Sequence, residues 1–168
     1  MFPPKFGIIY NKKYMYLEEG LKFERLPKIY DRENICLIKF CEPTYLTPEK
    51  FTSYAVYSAL TILAEEPTLV LNLFGHQEIN HSGIYYVNLC KDGVWRYIVI
   101  DDFMPVKSSI RRTLMFLNSF PHNKMSEVWA PLVEKALAKL YGTYQDLYLT
   151  SNLGIKPIFT NLTGFPVN

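Results

Sequence analysis

The chain has 168 residues, 49% of them hydrophobic, which suits one domain with a closed core. Its 18 Lys and Arg against 16 Asp and Glu leave a net charge of +2, too weak a field to point to nucleic acid or an acidic membrane. Cys36, Cys41 and Cys90 are odd in number and lack close C-x-x-C spacing, so neither a disulfide framework nor a zinc site is suggested.

From Phe6 to Leu17, two short apolar runs flank Asn11, Lys12 and Lys13, which predicts a β-hairpin or an extended arm. Before it, Pro3, Pro4 and Lys5 stand where a secretory signal needs a long apolar stretch, and no run approaches the roughly 20 residues of a membrane span. A soluble intracellular protein is therefore expected. Gly20, Pro27 and Pro43 punctuate a wrapping segment with a short strand at Ile35 to Phe40, and residues 1–46 are read as one N-terminal segment preceding a domain over 47–168.

Thr47, Pro48 and Glu49 read as a helix start: a capping hydroxyl, a proline in the first turn and a carboxylate at the positive dipole end. Phe51, Ala55, Ala59, Ile62 and Leu63 then recur at helical spacing up to Pro67, which predicts a central helix from about Pro48 to Ala64. Pro67 itself begins a shorter helix through Leu73, closed by Gly75. Ile84 to Leu89 and Val94 to Ile100 are β-branched and aromatic runs joined by Lys91, Asp92 and Gly93, a hairpin with the positive φ that a D-G turn supplies. Leu114 to Leu117 adds a strand after a break at Pro105. Ser126 to Tyr141 is a second long helix stopped by Gly142, and the tail from Thr143, with Pro157, Gly164 and Pro166, reads as loop.

Four stretches in order carry a resemblance. Ser58 to Pro67 (SALTILAEEP) is one. Gly83 to Val87 with Trp95 to Val106, ending I-D-D-x-x-P at Ile100 to Pro105, is the second. Glu127 to Tyr144 (EVWAPLVEKALAKLYGTY) is the third, and Leu162-Thr163-Gly164 the fourth. Together they resemble the first catalytic subdomain of calpains, within the papain-like cysteine proteases. The resemblance implies an α+β half domain in which the central helix packs on the second long helix and on the hairpin.

It also implies what is missing. Active calpains open the first helix with Q-G-x-x-G-D-C-W; counted back without gaps from Ser58, the cysteine falls on Tyr54, and tryptophan, aspartate and glutamine fall on Ala55, Ser53 and Pro48. A phenol with a pKa near 10 is a poor nucleophile at neutral pH, and proline has no side-chain donor for an oxyanion. The family's histidine and asparagine come from a second half that would follow the L-T-G segment, and the sequence ends at Asn168. A helix beginning at Thr47 would also replace the glycine-rich catalytic loop with regular backbone. The expectation is a non-catalytic structural or protein-binding subunit, its cleft face exposed for a partner in a larger assembly. Degenerate protist and ciliary relatives imply a cytoskeletal setting, with microtubule or axonemal proteins as partners. The alternatives are half of a split protease completed by another chain, or a decoy regulator of active calpains.

The remaining residues were weighed for chemistry. The three cysteines read as buried inert thiols, and His76, His81 and Glu78 as a solvated loop short of metal ligands. Glu127 stands where calpains place a calcium-binding glutamate, but the companion aspartate maps to Tyr45, so helix-start electrostatics is the expected role and no cofactor is implied. Asp101 and Asp102 are expected to accept backbone N–H groups in the I-D-D turn. Asn161-Leu162-Thr163 spells a glycosylation sequon without a secretory route.

Overall fold

The computed structural model describes residues 21–30, 32–107, 113–119, 121 and 124–166; the hairpin expected at Phe6 to Leu17 lies outside the described residues. The architecture is α+β. In chain order, β1 (Leu21–Arg25) leads into the single turn α1 (Leu26–Ile29), then the short strands β2 (Ile35–Cys36) and β3 (Leu46–Thr47). Helices α2 (Tyr54–Ala64) and α3 (Pro67–Leu73) precede the hairpin β4 (Ile84–Lys91) and β5 (Val94–Asp101). β6 (Phe103–Lys107), β7 (Thr113–Leu114), β8 (Asn118–Ser119) and β9 (Ser126–Glu127) follow, and then α4 (Trp129–Tyr141), α5 (Tyr144–Ser151) and α6 (Lys156–Thr163).

The sheets are small, and most of them tie distant parts of the sequence together. β1 runs antiparallel to β6, which also pairs with β7; β2 lies parallel to β9, and β3 antiparallel to β8. The hairpin folds as expected, in register from Ile84↔Asp101 to Lys91↔Val94, with Asp92 and Gly93 at φ 55° and 75° in the turn. Pro105 does not break the chain. It sits within β6 opposite Phe23 of β1, while the pairing with β7 is confined to Val106 and Lys107, so no ladder bond to β7 is asked of its missing N–H.

One buried cluster joins the helices and most of the strands, and Leu26, Leu37, Cys41 and Leu46 from the N-terminal part belong to it. α4 lies deepest: every residue from Trp129 to Ala138 is buried, and the helix packs on the hairpin and on α5. α2 packs on α3, α5 and α6, and α6 lies against β4.

Four expectations need correction. The central helix starts at Tyr54, not Pro48, because Thr47 is committed to the ladder with Asn118 and residues 49–52 form a tight turn. The second long helix starts at Trp129, because Ser126 and Glu127 pair with Ile35 and Cys36, and Val128 and Trp129 donate their N–H groups to Cys36 and Leu37 carbonyls. The strands expected at Ile35 to Phe40 and Leu114 to Leu117 shrink to Ile35–Cys36 and Thr113–Leu114. The tail holds two helices. Thr143 caps α5, accepting from Asp146 N–H at 3.0 Å and donating to its carboxylate at 2.7 Å. Pro157 lies in the first turn of α6 and Gly164, at φ 73°, closes it. Residues taken for breakers are element boundaries.

Candidate functional site

The segment leading into α2 carries the expected nucleophile and oxyanion positions. After β3, Pro48 passes into a turn in which Thr52 N–H donates to Glu49 C=O at 3.0 Å and Glu49 N–H to the Thr52 hydroxyl at 3.1 Å. Phe51 N–H is held by Met115 C=O at 3.2 Å. A loop therefore persists where regular helix was expected. Ser53 is buried, caps the helix, and accepts from Val56 N–H at 3.5 Å, so its hydroxyl is engaged with the backbone. Tyr54 is the first residue of α2 and 77% exposed. The structure thus puts a phenol, with Pro48 and Ser53 before it, at the positive end of an 11-residue helix.

The thiols lie elsewhere: Cys41 and Cys90 are buried as expected, whereas Cys36 is only half-buried. Cys41 is buried, and burial with the nearby Glu127 and Glu42 carboxylates pushes its thiol up to about 12. Cys36, its thiol 3.8 Å from Ser126 C=O, is raised to about 11 by burial and by Glu127, with Lys39 opposing. At neutral pH a thiol near 11 is ionised in on the order of one molecule in ten thousand, which leaves it inert as a nucleophile. Cys90 is buried in β4, where its carbonyl accepts from Asn161 Nδ2 at 2.6 Å.

Glu127 does not act at a helix start as expected. It is buried in β9, 86 to 88 residues from its partners, and its Oε1 accepts the consecutive backbone N–H groups of Lys39, Phe40 (2.8 Å) and Cys41 (3.2 Å). Oε2 accepts Cys41 N–H again at 3.1 Å. These residues do not fit the calcium that active calpains hold at the matching glutamate: the carboxylate oxygens accept N–H donors, and no group of three or more His, Cys, Asp or Glu suited to a metal occurs among the described residues.

The paired acids divide. Asp101 accepts Phe103 N–H at 2.9 Å as expected, and also the buried Lys135 ammonium at 2.6 Å, which is further held by Asp101 C=O at 3.0 Å and Phe103 C=O at 2.6 Å. Asp102 instead takes Arg25, whose Nε lies 2.7 Å from Oδ1 and Nη2 2.9 Å from Oδ2, a bidentate pair across 77 residues. Neither carboxylate is arranged for acid–base work. His76 stacks on Tyr85 at 5.5 Å beside an open hollow of about 400 Å³ at Phe74–Glu78, while His81 is exposed. Asn161 is buried, bonded to Cys90 and to the Tyr141 hydroxyl, which leaves no free amide for a glycan in the folded chain.

Sequence reasoning missed Arg25, Lys135 and the loop 39–41, all defined by distant partners. A further surface feature is apolar. Val94, Trp95, Tyr97 and Val99 of β5 are exposed, as are Tyr54 and Ile62 of α2, Tyr148 and Leu149 of α5, and Leu153 beyond it.

The helix α2, the buried helix α4 and the hairpin ending in I-D-D are consistent with the first half of a papain-like cysteine protease domain. The profile for calpain family cysteine proteases matches residues 1–166, and the chain belongs to that family. It is 38% identical over 90 residues to calpain-type cysteine protease DEK1 of Arabidopsis thaliana, covering 54% of this chain and 4% of that protein. Identity to human calpain-12 is 41% over 71 residues, covering 41% of this chain and 9% of the relative. For the calpain-1 catalytic subunit of Macaca fascicularis it is 32% over 93 residues, 54% of this chain and 12% of the relative. The chain thus spans a small part of the relatives it matches. Among the described residues no helix is long and apolar enough to cross a membrane.

Proposed function

We propose that this chain is a non-catalytic calpain-family module that binds protein partners. The observation that carries the reading is Tyr54 at the first position of α2, the slot to which the nucleophile maps, with Pro48 at the oxyanion position and a committed hydroxyl at Ser53. Cysteine protease chemistry needs a thiolate aimed by a helix end and served by a base. Cys36 and Cys41 are remote from that helix end in sequence, and burial raises both thiols. The exposed aromatic and aliphatic side chains of α2, α5 and β5 suit contact with another protein. A cytoskeletal or axonemal assembly, with microtubule proteins among the partners, is the proposed setting and rests on the family resemblance alone.

Labelling with an epoxide-type active-site thiol probe, alone and in cell extract, tests the catalytic part. No labelling at Cys36, Cys41 or Cys90 is expected. Covalent labelling of any of them, dependent on a second chain, would establish a split protease instead. Affinity capture with mass spectrometry tests the partner class: a stable assembly with tubulin or axonemal proteins fits the proposal, whereas capture of an active calpain would make the chain a decoy regulator.

A further inference from the structure

The Glu127 carboxylate faces donors that a calcium ligand would not. A bound Ca²⁺ takes about six to eight oxygen ligands at roughly 2.3–2.6 Å, each directing a lone pair at the ion. At Glu127 the lone pairs are directed at three successive N–H groups, whose partial positive charges converge as they do in backbone anion nests. Cys41 lies in the left-handed region at φ 55°, a bend that redirects the chain immediately after the three amides. A cation arriving here would displace those hydrogen bonds or sit against their positive ends.

We propose that Glu127 is a calcium-independent clamp: its carboxylate holds residues 39–41 through backbone N–H groups, and no divalent cation binds there. The clamp extends other links between the same two segments. β2 is parallel to β9, Val128 and Trp129 N–H groups bond to Cys36 and Leu37 carbonyls at 3.1 Å, and Ser119 Oγ donates to Glu127 C=O at 2.7 Å. The loop before α2 and the start of α4 are thus joined by the protein's own donors. This half domain is assembled at any calcium level, where a metal-bridged loop would be ordered only on binding. The inference stands whether or not the chain is catalytic, because it concerns cation binding and not thiol chemistry.

The test is a calcium titration of the full chain followed by amide NMR, with thermal unfolding in parallel in EDTA and in millimolar calcium. The expected result is that the Lys39, Phe40 and Cys41 amide resonances stay in place and the unfolding midpoint does not move. A saturable shift of those three amides would overturn the proposal. A midpoint that rises while they stay fixed reports a cation elsewhere and leaves the clamp intact. Glu127→Gln removes the charge and turns an NH₂ toward N–H donors, so its midpoint falls by the same amount in EDTA and in calcium. A fall seen only in calcium would show that the carboxylate had been a ligand. Should this variant not fold, the wild-type amide titration decides alone.

Discussion

Glu134 offers the most demanding test of the packing. It sits in the middle of α4, fully enclosed, with Oε2 accepting Leu117 N–H at 2.7 Å. Met104, Pro105, Leu114, Phe116, Leu117, Pro131 and Tyr144 line a void of about 10 Å³ beside it, room for one water at most. Burial raises its carboxyl from 4.5 to about 8, with the Leu117 N–H opposing, so the folded chain prefers the neutral acid. A carboxyl raised on folding contributes its full stability below pH 4.5 and loses it as pH rises toward 8. At about 1.4 kcal/mol for each tenfold difference, the loss approaches about 5 kcal/mol by pH 8, with about 3 of that gone by pH 7. Glu134→Gln, a neutral isostere that keeps an acceptor for Leu117, removes this slope. Urea unfolding at pH 5, 7 and 8.5 should show wild type and variant within about 1 kcal/mol at pH 5, with the variant more stable by a few kcal/mol at pH 8.5. A difference that does not change with pH, or a variant less stable at pH 8.5, would refute the neutral buried acid.

Other outcomes follow from single contacts. Arg25→Ala leaves the Asp102 carboxylate buried without its bidentate partner and should cost about 2–4 kcal/mol in urea unfolding, more than an exposed ion pair loses. Thr143→Ala removes the α5 cap and should lower stability by about 1 kcal/mol, with local loss of protection in amide exchange. Trp129→Ala opens a cavity under α4 and should cost about 3–5 kcal/mol, measured in the same way. Alkylation of Cys36 by iodoacetamide at pH 7.5 should be at least ~100-fold slower in the folded chain than in urea, since a thiol raised from 9.0 to about 11 has a correspondingly smaller thiolate fraction. Equal rates would show the thiol to be open and unshifted.

The elements legible in the sequence were those whose determinants lie within a few residues. The 84–101 hairpin was set by its β-branched runs and the Asp92-Gly93 turn, and α3 by Pro67. The first helix was mistimed because Thr47-Pro48-Glu49 spells a cap, yet Asn118, far along the chain, claims the Thr47 backbone and Ser53 caps the helix instead. Pro157 and Gly164 were read as breakers although each marks an end of α6, a distinction that depends on which residues between them find a core. Ile158 and Leu162 are buried there. The candidate site was legible in the same sense. The count back from Ser58 that assigns Tyr54 to the nucleophile position rests on the resemblance; the structure adds that α2 opens at Tyr54.

What no local pattern shows is how residues 21–46 join the remainder. Their anchors are groups 77 to 91 residues away: Arg25 on Asp102, the 39–41 amides on Glu127, and the β2 ladder on β9. A buried carboxylate without its donors would be costly, so these contacts hold each segment to one register as well as stabilising it. The same arrangement bears on function. Glu127 and Asp102 are each satisfied within this chain, one by the 39–41 amides and the other by Arg25. These contacts are made within the chain, and the first residue of α2 is a phenol, Tyr54, the observation on which the proposed binding role rests.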